Sequence, residues 1–155
     1  MGLTELKKSY SELAKKYSLP SFSEMNEDFE IDKIDKESET LIRVVRKHAM
    51  DKLVNSMTFL EMLVNPVNTP RIYFPYIKSM STDDRKSIEE MYGMLGDVSI
   101  ASLSLELGYS EKKEAEFVKK MFSTWQVLKP KFSKLMEHMQ ETHSSEPKKE
   151  KSYFG

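Results

Sequence analysis

The chain contains no cysteine. Disulfide staples, thiolate ligands and cysteine nucleophiles are therefore excluded, and a reducing compartment is the natural fit. Glycine is scarce, at five in 155 residues. None of the five belongs to a G-x-x-x-x-G-K phosphate loop or a G-x-S-x-G elbow. No excess of one charge sign exists either: net charge is −1, so no overall field draws the chain to nucleic acid or an anionic membrane. No apolar run approaches the 18 residues of a membrane helix. The start, "MGLTELKKSY", lacks an apolar segment, so no signal peptide is expected. Gly2 lacks the Ser or Thr of a myristoylation site, and the expected address is the cytoplasm.

What is abundant is Leu, Met, Glu and Lys, all good helix formers. The expected fold is all-α: one helical bundle over residues 1–143, with about four long helices and one or two short ones. A disordered tail is expected over 144–155. A first helix carries Leu3, Leu6, Tyr10, Leu13 and Tyr17 at helical spacing and must stop before Pro20. Ser21 and Glu24 make a capping box for a short second helix with Phe22, Met25 and Phe29 on one edge. Between Glu24 and Glu39 eight carboxylates face only Lys33 and Lys36. That stretch reads as an acidic linker anchored by Ile31 and Ile34.

The third helix is expected from about Ser38 to Val64, on the stripe Leu41, Val45, Ala49, Leu53, Ser56, Leu60 and Leu63. Arg43, Arg46 and Lys47 lie on its other face, open to phosphate or, preferably, to pairing with the acidic segment just before. His48 beside the stripe reads as a half-buried, hydrogen-bonded imidazole. Three prolines at 66, 70 and 75 interrupt the next stretch. Its aromatics, Tyr73, Phe74 and Tyr76, are expected to dock as a lid containing one short helical turn, or to line a ligand groove.

Ser81 and Asp84 signal another N-cap. The helix that follows should reach Leu107, with Gly108 as its left-handed C-terminal residue. Gly93, Gly96, Ser99 and Ser102 along it suggest close approach of a neighbouring helix. Ser110 should cap the last helix, in which Pro130 should produce a kink. Lys129, Lys131 and Lys134 near that proline, with Arg43, Arg46 and Lys47, form a possible basic patch for RNA. For metal, His138 and Glu141 offer a single H-x-x-E pair, best read as solvated charge. No catalytic residue, cofactor site or metal site is assigned.

The stretches "YSELAKKYSLPSFSEMNEDFEID" and "EKKEAEFVKKMFSTWQVLK" resemble an uncharacterised family of small all-helical archaeal proteins. The resemblance implies an intracellular helical domain and carries no active-site residue.

The tail poses a separate question. "KKEKSYFG" ends a polar stretch on two adjacent aromatics. Folding back would cost chain entropy, so the aromatics are expected to stay free for a partner protein. Lys148, Lys149 and Lys151 would steer, Tyr153 and Phe154 would anchor, and the Gly155 carboxylate would be captured. The functional expectation is thus a non-enzymatic adaptor, with an RNA- or ribosome-associated factor as the alternative. Oligomeric state is not readable from the sequence.

Overall fold

A computed structural model describes residues 2–35 and 40–145. The six tail residues of interest, Lys148, Lys149, Lys151, Tyr153, Phe154 and Gly155, lie outside the described residues, as do Glu37 and Glu39. Six α-helices make up the fold, with no strand among the described residues. They are α1 (Leu3–Tyr17), α2 (Phe22–Phe29), α3 (Leu41–Val64), α4 (Phe74–Ser79), α5 (Thr82–Ser104) and α6 (Glu111–Ser145). Four are long and two short, an all-α bundle.

The local signals explain most boundaries. The Ser21 hydroxyl accepts from the Glu24 amide while the Glu24 carboxylate accepts from the Ser21 amide, so the capping box is complete. Ser81 accepts from the Asp84 amide at 3.1 Å, and Ser110 from the Lys113 amide at 3.3 Å. α1 closes on Ser18 with φ 56°, and α2 on Glu30 with φ 50°. Both are non-glycine residues in the left-handed region, where Cβ crowds the backbone.

α3 is the axial element, packed against α5 and α6 and touched by α1 and α2. Its stripe Leu41, Val45, Ala49, Leu53, Leu60 and Leu63 is buried, as the 3.6-residue spacing requires. Opposing it are Ile88, Met91, Leu95 and Val98 of α5 and Ala115, Val118, Met121, Trp125, Leu128 and Leu135 of α6. Ile31 and Ile34 are buried, pinning the segment after α2. α4 is the short turn expected in the proline-rich connection, and it docks on α6.

Four sequence expectations need correction. α3 begins at Leu41 rather than Ser38. α5 ends at Ser104, a 3₁₀ turn covers Leu105–Leu107, and Gly108 has φ −174°, extended rather than left-handed. A Cβ added at Gly93 or Gly96 would meet nothing within 4 Å, so close packing inside the fold does not account for these glycines. α6 runs through Pro130, as its continuing apolar spacing implies, and reaches Ser145, two residues past the expected edge of the bundle at 143. Pro130 and Gln126, whose carbonyl loses its donor, are both exposed, so water can satisfy that carbonyl.

Candidate functional site: an apolar ridge above a buried ion cluster

Arg46 is 2% exposed and Glu114 0% exposed. Charges this deep survive only when paired and fully hydrogen-bonded, and these are. Arg46 Nε donates to Glu114 Oε2 at 2.5 Å. Its Nη1 donates to the Ser102 hydroxyl at 2.7 Å and to the Ser102 carbonyl at 3.3 Å. Its Nη2 donates to Glu106 at 2.9 Å and to Glu114 Oε1 at 3.2 Å. Arg43 Nε reaches the same Glu114 Oε1 at 2.9 Å. Burial works against the Arg46 charge, yet hydrogen bonds and charge from Glu114 and Glu106 outweigh it and raise its pKa. The hydrogen bond from Arg46 holds the Glu106 carboxyl below the ordinary carboxylate value.

This cluster fixes the corner between α5 and α6. Arg43 Nη2 donates to the Leu105 carbonyl and, at 3.3 Å, to the Gly108 carbonyl. Its guanidinium lies 5.4 Å from the centre of the Tyr109 ring, within cation–π range. Lys47 Nζ adds a longer contact to Glu106 at 3.5 Å. Two cations of α3 thus clamp the backbone where one helix hands over to the next.

The clamped corner carries apolar side chains on its outside. Ile100 is 69% exposed, Leu103 66% and Leu107 91%. Ile100 and Leu103 neighbour each other one turn apart on α5, Leu107 continues this apolar ridge in the 3₁₀ turn that follows, and Tyr109 stands exposed beyond it. The same face of α5 carries Glu89, Gly93 and Asp97, all exposed. It is a shallow, acidic-edged track ending in an apolar ridge.

The six basic residues of the expected patch do not form one surface. Arg46 is buried, and among the described residues the trio pairs with Glu114 of α6 and Glu106 of the turn after α5; Glu37 and Glu39 of the acidic segment expected to pair with it lie outside the described residues. Lys129 pairs at 2.6 Å with buried Asp28, which also accepts from Gln126 at 2.7 Å. Glu114 and Lys129 stand fifteen residues apart on α6, about 22 Å along its axis. Of the six, Lys131 and Lys134 have no ion-pair partner within 4 Å among the described residues. They border a cavity of about 290 Å³ shared with Asp83, Asp84 and His138.

His48 meets the Glu30 carbonyl at 3.1 Å, half-buried as read from the sequence. His138 lies 3.8 Å from Asp84. Among the described residues no group of three or more His, Asp or Glu side chains gathers to hold a metal ion.

Sequence reasoning missed the Arg46–Glu114 pair and Asp28. A signal existed for the first: Glu114 precedes Ala115 and Val118 at the start of the last helix's apolar face, next to the core stripe. No pattern in one sequence pairs it with residue 46.

Comparison of the chain with protein-family models, with curated proteins and with solved structures finds no match in any of the three. Function therefore has to be argued from the surface itself.

Proposed function

We propose that this chain is a non-enzymatic, cytoplasmic protein-interaction module whose helical domain binds a partner through the Ile100–Leu103–Leu107 ridge. The observation that carries this is the exposure of three large aliphatic side chains on one ridge, at a corner immobilised by a buried ion cluster. Scattered apolar residues on a surface need no explanation, but a contiguous set marks an interaction site. A rigid backbone beneath such a set lowers the ordering cost of binding.

The partner that fits is an amphipathic helix laid along α5. Its apolar stripe would cover the ridge, and Lys or Arg beside the stripe would meet Glu89 and Asp97. Gly93 and Gly96, which no contact inside the fold requires, would let that helix approach closely. The tail residues Lys148, Lys149, Lys151, Tyr153, Phe154 and Gly155 supply a second contact in this reading. Among the described residues no helix is long and apolar enough to cross a membrane. Support for the RNA alternative is reduced to Lys131 and Lys134, beside two carboxylates.

The test is recovery of bound proteins from the producing cells with three full-length baits: wild type, Leu103→Asp/Leu107→Asp, and Val127→Asp. Val127 is exposed on α6, away from the ridge. Wild type and Val127→Asp should retain the same partner and the ridge variant should lose it, with all three equally stable. Retention by the ridge variant refutes the proposal.

A further inference from the structure

The connection before α4 and the last turns of α6 enclose an apolar groove of about 180 Å³. Ile72, Tyr73 and Pro75 form one wall, and Met136, Met139 and His143 the other. Ile72 and Met136 are exposed, so nothing among the described residues covers it.

The geometry points to an occupant from the chain itself: we propose that Tyr153 and Phe154 seat in this groove, so that the tail docks on its own domain. The proposal deepens the tail half of the function above by giving those aromatics a resting site. Three observations carry it. The first is position. α6 is described to Ser145, and His143 lines the groove two residues earlier. The second is length. Met136 lies nine residues before Ser145, about 13 Å back along the helix, whereas Tyr153 lies eight residues beyond it, a reach of about 26 Å when extended. The tail reaches every part of the groove with slack.

The third is chemistry. The tail is polar until its two terminal aromatics, and aromatic rings suit a groove walled by methionine, proline and tyrosine. Glu137 and Glu141 are exposed on the same stretch of α6, with no ion-pair partner within 4 Å among the described residues. They are the carboxylates that Lys148, Lys149 and Lys151 would meet on the return path. The chain-entropy cost of folding back is confined to the two anchored aromatics and the seven residues between Ser145 and Tyr153. A tether this short gives an effective concentration in the millimolar range. Millimolar intrinsic affinity is therefore enough to fill the groove about half the time. A partner competing for the tail must then displace it from the groove, which makes its release a control point.

The test needs no partner. Methionine methyl NMR spectra of the full chain are compared with those of the full-length Tyr153→Ala/Phe154→Ala variant. The Met136 and Met139 signals should move and those of core Met25 and Met121 should not. Ile72→Ser, at an exposed groove wall, should reproduce part of the change with the tail intact. The differences should be independent of protein concentration. Identical spectra overturn the proposal. Differences that grow with concentration overturn it too, because they assign the groove to the tail of a second copy. Neither result bears on the ridge, so the two proposals fail separately.

Discussion

Replacing Glu114 by Gln should be among the most damaging single changes available to this chain. The substitution keeps the shape but removes the charge that faces two guanidinium groups. Arg46, 2% exposed, would keep its bonds to Ser102 but as a charge partner only Glu106, whose side chain is 39% exposed and thus screened by water. Breaking a buried ion pair from one side typically costs about 3–5 kcal/mol, because the remaining charge is stranded. Against a total stability of about 5–15 kcal/mol for a folded domain, that is a large fraction. At roughly 2–4 °C per kcal/mol for a chain of this size, the melting temperature should fall by about 6–20 °C. Urea unfolding followed by circular dichroism measures the loss directly. The double variant Arg46→Met/Glu114→Leu provides the control. It removes both buried charges, so it should be at least about 2 kcal/mol more stable than Glu114→Gln alone. A loss below about 1 kcal/mol in the single variant would refute the claim that Arg46 depends on Glu114. A double variant no better than the single would locate the damage in packing instead of stranded charge.

Further outcomes follow from the same structure. Gly93→Ala should stabilise the fold by about 1 kcal/mol, since alanine favours helix and the added Cβ meets nothing; in the partner-recovery experiment it should weaken binding, so stability and binding move in opposite directions. Ser18→Gly should stabilise by about 1 kcal/mol in urea unfolding by relieving a left-handed residue at φ 56°. Alkaline titration should destabilise the protein from pH 10 upward: burial, then Asp84, pushes the Tyr76 hydroxyl up from 10.0 to about 12, so stability is full below pH 10 and is lost as pH rises through 12. Tyr76→Phe should shrink that limb without abolishing it, since burial also raises the Tyr10 hydroxyl, and should cost nothing at pH 7, because the buried Tyr76 hydroxyl has no hydrogen-bond partner among the described residues. Acid has the opposite sign: Arg46 holds Glu106 and the Tyr17 hydroxyl holds Glu111 below 4.5, so their contribution is present above pH 4.5 and is lost as pH falls through the lowered values.

The elements that the sequence makes legible are those governed by local rules. Helical spacing of Leu41, Val45, Ala49 and Leu53 is set by the geometry of one helix, and Ser21 with Glu24 satisfies its own cap. Such features need no knowledge of distant residues. What stays hidden depends on partners far along the chain. Arg46 looks like a surface cation because its neighbours Arg43 and Lys47 are cationic. Its burial follows from Glu114, 68 residues away. Asp28 reads as one carboxylate in an acidic run, yet it is buried against Lys129 and Gln126. The ridge is hidden for a related reason. Ile100, Leu103 and Leu107 are as apolar as the stripe beside them, and only the packing of α5 on α3 decides which side faces out. Glycine misleads similarly: Gly93 and Gly96 suggest a tight internal contact, but a Cβ at either would meet nothing within 4 Å.

The most direct measurement of the central claim is site-specific photo-cross-linking in the producing cells, with a benzophenone side chain at position 103 or, separately, at position 127. A discrete adduct with another protein is expected at position 103 and none at position 127. Equal labelling at the two positions, or no adduct at position 103, would contradict it.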